Sequence, residues 1–498
     1  MSHSQIHKIQ TTSLQVQFDG IEEGLGLQDR LALVFHEKIK PALEKEFDQL
    51  ADPKTTLVID SLVLDCGYLP DENWEETLHQ QILEQVRKEI AAKPSNQRMQ
   101  ISKEIKANQV YFFFMAKGYF PWNSPFASTR EVEKAISIDI EFMGSLMKAM
   151  QKSSLVTDRL FHSFSTTFIS GIYGSLGKTV NPKIPVVYSF LQKQGWENVQ
   201  KELLGKLILH ANKKQELTHL EFLSLLIYLI PKEKISDLAG FVGSELIQDK
   251  NFREAFSTVK ATANTSESSR KIDMLVQALG ENYPASLKKI DYSKINQRIL
   301  KEVKESTLRN RKTENLLNER IAGASENIVD VSEDIFIENA GLVILHPFIS
   351  GLFGHLQLLT AGKFTKQANQ HLGAKILQFL VYGENDLTEN SFVLNKILCG
   401  MDVFDVLELS QEIEAASKDE CEKLLQDVIG HWAILKNTSV DGLRETFLQR
   451  DGKISRTENG WKLKVERKTV DILMNKLPWG IGMIKLPWMD EMMYVDWD

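Results

Sequence analysis

Cysteine is scarce: only Cys66, Cys399 and Cys421 occur in 498 residues, and none forms a C-x-x-C pair. An odd, sparse set of this kind supports neither a disulfide framework nor a zinc ribbon, and it fits assembly in a reducing cytoplasm. Excess positive charge is missing too: the formal net charge is -8 and no strongly basic face stands out, which argues against nucleic acid as a partner. The opening MSHSQIHKIQTTS has no basic flank leading into an apolar core, so no ordinary secretory signal is expected. Sustained heptads are lacking in the middle of the chain, where prolines at 121, 125, 182, 185, 231 and 284 interrupt any long helix. Even an unbroken helix there would span only ~360 Å at ~1.5 Å per residue. The middle therefore reads as globular helices and not as a rod.

The signatures of chemistry are also absent. Gly171-Ile-Tyr-Gly-Ser-Leu-Gly177-Lys178-Thr179 approaches a phosphate-cradling loop, but Ile172 stands where the first glycine is required. We expect a helix-terminating loop there. His36-Glu37 lacks the second histidine of a zinc helix, since Lys40 occupies its place. His346, His355 and His371 are scattered through an apolar region with no cysteine or paired carboxylate nearby, as core or interface histidines would be. Ser439 and Asp441 lie outside any G-x-S-x-G elbow and are better explained as caps of a helix over 443–448. No catalytic, cofactor-binding or metal-ligating residue is expected, and an enzyme is not.

With 43% hydrophobic and 25% charged residues the chain has an ordinary soluble composition, and its length suggests two to four domains. The predicted fold class is α+β, predominantly helical, in three parts. Residues 1–95 form a small strand-helix-strand-helix α/β module. Strand periodicity at Leu14, Val16 and Phe18 and again over 56–66 flanks a helical stripe from Leu31 to Leu50 that Pro41 should kink. A second helix follows an Asp71 cap and carries Trp74, Leu78, Ile82 and Val86. Residues 96–330 form a helical middle, with segments near 130–152, 156–172, 188–211, 217–230, 233–248, 266–280 and 295–321. It closes on the mixed-charge stretch Lys301–Arg320, and the boundary falls near 322–333. Residues 331–498 form a helical region with a small antiparallel β-meander. Within it, 24 residues from Asn339 to Gly362 carry no Asp, Glu, Lys or Arg, enough to cross a bilayer. His346-Pro347, Ser350, His355, Gln357 and four glycines would be costly in lipid, so a buried core segment is the preferred reading and a membrane span the alternative.

The densest information lies at 430–488, which holds Trp432, Trp461, Trp479 and Trp488. Asp451-Gly452 and Asn459-Gly460 are both hairpin-turn dipeptides flanked by alternating residues, which predicts the meander over about 447–466, with a helix over 469–476 packed on it. Leu-Pro-Trp then occurs at 477–479 and again at 486–488. The strings HWAILKNTSVDGLRETFLQRDGK and LPWGIGMIKLPWM resemble the C-terminal signature of the contractile injection system tape measure proteins, components of phage-tail-like particles. A looser resemblance covers NAGLVILHPFI, VLNKILCGM and residues 6–92. It implies a non-enzymatic structural component acting in or at an end of the tail tube. The expected partners are tube, baseplate or spike subunits, with self-association a further option. The expected place is the cytoplasm during assembly and then the particle, including released particles. An assembly chaperone, plug or cap adaptor is the alternative role, and a membrane-active tip component or a nucleotide-dependent enzyme is less favoured. Trp432, Asn437, Trp461, Trp479 and Trp488 are the candidate partner-contact residues.

Overall fold

The computed structural model of the chain describes residues 7–9, 12–17, 24–50, 55–59, 61–70, 72–92, 98–212, 216–246, 248–252, 267–279, 334–383 and 388–497. It divides into two units, residues 1–137 with 332–498, and residues 138–331.

At the N-terminus α1 (Gly24–Val34) runs through a π-turn (Phe35–Ile39) into α2 (Lys40–Leu50). Pro41 has no N–H to offer Glu37, and the Lys40 N–H reaches back to Phe35 O, so the predicted kink is taken up as a one-residue bulge. α3 (Trp74–Ala92) lies against this pair, burying Leu78, Ile82 and Val86 on Val34, Ile39 and Leu43. Arg87 of α3 clasps Glu46 of α2 through two hydrogen bonds of 2.7 and 2.5 Å. Of the two predicted strands, residues 12–17 form neither strand nor helix, and β1 spans only Thr55–Ile59. Phe18 and the Asp71 cap lie outside the described residues. β1 pairs antiparallel with β2 (Arg98–Ser102), beyond the expected boundary at 95. α4 (Lys103–Lys117), capped by the Ser102 hydroxyl and closed by Gly118 at φ 80°, and α5 (Thr129–Ala135) complete this segment.

The second unit is helical among its described residues: α6 (Ile140–Lys152), α7 (Leu155–Ser163), α8 (Thr166–Thr179), α9 (Ile184–Lys193), α10 (Glu197–Asn212), α11 (His219–Leu229), α12 (Ile235–Phe241) and α13 (Glu267–Leu279). The single helix expected over 130–152 is two, because Asp139 caps α6 by accepting from Phe142 N, and Ile140 of the predicted stripe is 88% exposed. Ser165 caps α8 in the same way and divides the helix expected over 156–172. The expected loop at 171–179 is instead helix. Gly171 and Gly177 serve close approach there, since a Cβ would come within 2.7 Å of Ile138 and Pro185 respectively. The helix expected at 295–321, the stretch Lys301–Arg320 and the boundary at 322–333 lie outside the described residues.

In the C-terminal segment β3 (Ile335–Ile337) leads into a buried 3-10 turn (Ala340–Leu345) and α14 (His346–His355). α15 (Gln367–Tyr382), α16 (Val393–Leu398) and α17 (Ala415–His431) follow, then a 3-10 turn (Ala433–Leu435) and α18 (Val440–Leu443), which continues as a π-turn to Leu448. β4 (Gly452–Thr457), β5 (Gly460–Val465), a 3-10 helix (Thr469–Lys476), β6 (Met483–Ile484) and β7 (Met492–Asp496) end the chain. The predominantly helical α+β class is as the sequence implies. The sheet, however, has five strands in the order β3-β4-β5-β7-β6 and is mixed: β5 and β7 run parallel, where a purely antiparallel meander was expected. The β4–β5 hairpin does form next to Asn459-Gly460, but its two-residue turn is Glu458-Asn459; Gly460, at φ 125°, is the first β5 residue, paired with Thr457, and a Cβ there would meet Met492 O at 2.3 Å. Asp451-Gly452 makes no hairpin turn. Gly452 is a strand residue whose missing Cβ lets Ala340 approach, since a Cβ there would sit 2.5 Å from that of Ala340.

The uncharged stretch 339–362 is core in its first part, with Ala340 to Leu345 all buried, while His355, Gln357 and 360–362 are exposed, and among the described residues no helix is long and apolar enough to cross a membrane. Gly341 is pressed against the Phe447 carbonyl so closely that any side chain would collide with it. Beside this turn lies a buried polar cluster. Asn339 Nδ2 donates to Asn395 Oδ1 at 2.8 Å, and Asn395 Nδ2 donates to Gln378 Oε1 at 2.7 Å and to Ala374 O at 3.0 Å. Next to it Lys396 and Glu389, both with fully buried side chains, form a 2.7 Å ion pair. Lys396 Nζ also donates to Asp405 O at 2.6 Å. Breaking such a pair strands a charge in an apolar core. Lys396→Met is therefore expected to lower stability by ~3–5 kcal/mol in urea unfolding, with much of the loss recovered when Glu389→Leu is added.

Candidate contact surface at the C-terminus

The two Leu-Pro-Trp repeats do the same physical work at different places. Pro478 follows the end of the 3-10 helix Thr469–Lys476, Pro487 lies in a turn after β6, and each indole turns back to a carbonyl far upstream. Trp479 Nε1 donates to Ile344 O at 2.9 Å, and its ring meets Phe348 edge-on at 5.0 Å. Trp488 Nε1 donates to Leu398 O at 2.8 Å, and its ring lies against Phe353 and Phe364. Gly400, at φ 67°, is needed for that docking, since a Cβ there would meet Trp488 O at 2.6 Å. Both indoles keep part of their surface in solvent. Trp461 is half-buried too, roofed by the Arg456 guanidinium 4.5 Å from its centroid, and Arg456 is held by both carboxylate oxygens of Glu491.

Trp432 is a correction. It is 0% exposed, tilted against Phe447 at 4.7 Å, and its indole N–H has no hydrogen-bond partner. It fills the core and offers nothing to another chain. Asn437 is exposed just after the 3-10 turn Ala433–Leu435. That turn touches the 3-10 helix Thr469–Lys476, and each leaves an isoleucine uncovered, Ile434 at 48% and Ile472 at 72% exposed. Val470, 37% exposed, belongs to the same helix. These three aliphatic residues were not singled out from the sequence. Their signal was Ala433-Ile434-Leu435, a run of consecutive apolar residues that one helix face cannot bury entire. Trp497 was also missed. Its Nε1 donates to Asp471 Oδ2 at 3.1 Å, and the same oxygen takes a 2.6 Å bond from the buried Arg450.

The structure gathers no catalytic set here. His346, His355 and His371 each have separate partners: Val343 O, Glu420 and the Glu408 N–H. Among the described residues no group of three or more His, Cys, Asp or Glu is placed to hold a metal ion. Burial of Cys399 and Cys421 pushes both thiols up, the latter to about 12, so neither is a thiolate near neutrality. Ser439 caps α18 by accepting from Gly442 N, as the sequence suggested. What remains is a packed interior whose charged groups are mostly paired, with an aliphatic and aromatic rim. The match to the contractile injection system tape measure protein family extends over residues 6–497.

The chain belongs to that family. Tape measure proteins of this kind are structural components of the injection particle and not enzymes. No curated protein and no solved structure matches the chain. For this tape measure protein the two docked indoles yield a test. Trp479→Phe or Trp488→Phe leaves a carbonyl without its donor and should cost ~1–3 kcal/mol in urea unfolding, beyond the loss for Trp432→Phe, which breaks no hydrogen bond. A second test is pH. Burial lowers the His346 pKa below the usual histidine value, against the Val343 carbonyl that accepts its Nδ1–H and favours the charged form. The folded chain then takes up this proton less readily than the unfolded chain. Stability should fall as pH drops below ~6.5 toward the lowered folded value. His346→Gln, still able to donate to Val343 O, should flatten that slope in thermal unfolding followed by circular dichroism.

Proposed function

We propose that this protein is a non-enzymatic assembly component that acts in or at an end of the tail tube, and that its C-terminal segment docks on a tube, baseplate or spike subunit. The observation that carries the reading is family membership over nearly the whole chain. The local arrangement supports the docking part. The interior polar groups are turned on one another, while Ile434, Asn437, Val470, Ile472 and the rim of Trp479 face outward. Aromatic and aliphatic groups of this kind, held in place by other contacts, are what a partner can cover at low entropic cost. Trp461 and Trp488 add secondary rims to the same segment. Assembly takes place in the cytoplasm, with the particle as destination.

An assembly chaperone, plug or cap adaptor of the same particle is the second reading, favoured by the short helices of the middle unit. α10, with 16 residues the longest described there, extends ~24 Å at ~1.5 Å per residue. One experiment tests the assembly role that both readings share, and a second separates them. Deleting the gene should abolish or deform tubes, and particles of normal number, length and activity would refute any role in assembly. Inserting helical sequence between α13 and β3 should lengthen the tube in proportion for a ruler and leave it unchanged for an adaptor. The double variant Ile472→Glu/Ile434→Glu should abolish co-purification with particles while leaving unfolding within ~0.5 kcal/mol of the unaltered protein, as surface changes do.

A further inference from the structure

We infer that residues 61–66 are an unfilled strand position that takes residues 12–17 of a second copy of this chain, completing a sheet between two molecules at their N-terminal segments. The inference stands apart from the proposed role at the tube. Beyond β1, residues 61–66 form no helix or turn, and their exposure alternates residue by residue. Leu62, Leu64 and Cys66 rest on the core of α1 to α3, while Ser61, Val63 and Asp65 face solvent, Val63 at 80%. That is the burial period of a strand with one covered face. Yet among the described residues no backbone N–H or C=O of 61–66 finds a backbone partner.

Residues 12–17 are the complementary half. They form no helix or turn and are exposed throughout, with Leu14 at 41% and Val16 at 45%, and they too lie outside every ladder. Leu14 and Val16 alternate with Ser13, Gln15 and Gln17, so one face of the segment could prolong the apolar row of Leu62 and Leu64 while the other stays wet. The only formal charge in the two segments is Asp65, so nothing repels their approach. The existing ribbon of β1 and β2 has two strands, fewer than the three that give a sheet independent stability.

The occupant is a second copy because one chain presents both a free strand and a free edge without joining them. Two copies exchanging these segments satisfy both positions at once. The contact is isologous and closed, so each copy's segment is used by the other and the pairing stops at two chains.

The test uses full-length protein carrying Cys66→Ser; Cys399 and Cys421 are buried and stay unreactive. One preparation adds Gln15→Cys and another adds Val63→Cys, both on the wet face. Mixed and oxidised, they should form a disulfide-linked pair on a non-reducing gel, which neither preparation forms alone. Light scattering should give the unaltered chain a mass of two copies, and Leu14→Lys/Val16→Lys a mass of one with unchanged far-ultraviolet circular dichroism. A single-copy mass for the unaltered chain, absence of the mixed pair, or linkage only within one molecule when both cysteines are placed in the same chain would each overturn the inference.

Discussion

A buried ammonium must be met on every side, and in this protein Lys396 is met by the segments that flank its own helix. Its carboxylate partner Glu389 comes from the turn before α16, and the Asp405 carbonyl comes from the loop after it. One residue earlier, Asn395 joins Gln378 of α15 and Asn339 before the buried 3-10 turn. In a low-dielectric core such groups have few acceptable arrangements, and any shift of one helix leaves a donor or acceptor bare. The cluster is costly in desolvation. Its consequence is register: α15, α16 and the turn at 340–345 can meet in one way.

The tail depends on that register. Trp479 and Trp488 bond to Ile344 O and Leu398 O, carbonyls at the ends of elements that the polar cluster positions. β7 then runs parallel to β5 because the two anchored indoles carry the chain across the domain before it returns to the sheet. With Trp497 closing on Asp471 and Arg450, the final residues clamp the hairpin from outside. A segment organised in this way spends its polar groups on itself. It offers other molecules shape and apolar rim, which suits membership of a structural family and not of a catalytic one.

Local signals were legible where one residue decides one geometry. Gly383 and Gly400 mark helix ends because the chain leaves each helix there at positive φ, and Gly460 marks the hairpin as the positive-φ residue that follows its Glu458-Asn459 turn. Asp451-Gly452 looks identical on paper and does something else, since its glycine answers to Ala340, more than a hundred residues away. The tryptophans divide similarly. All read as large apolar groups, but burial of Trp432 against Phe447 and partial exposure of Trp479 beside Phe348 follow from which neighbours arrive. The aliphatic rim of Ile434 and Ile472 comes from two short helices meeting, which no stretch of either records alone.

By itself the sequence determined the family, the helical majority, the hairpin at Asn459-Gly460 and the core character of the uncharged stretch, because strings, caps, turn dipeptides and missing charges are properties of neighbouring residues. Tertiary structure alone decided the mixed sheet, the helical state of the glycine-rich 171–179 segment, the pairing of Lys396 with Glu389 and the side of each tryptophan that meets water. These rest on contacts that form only once the chain has folded back on itself, where packing and desolvation outweigh local preference.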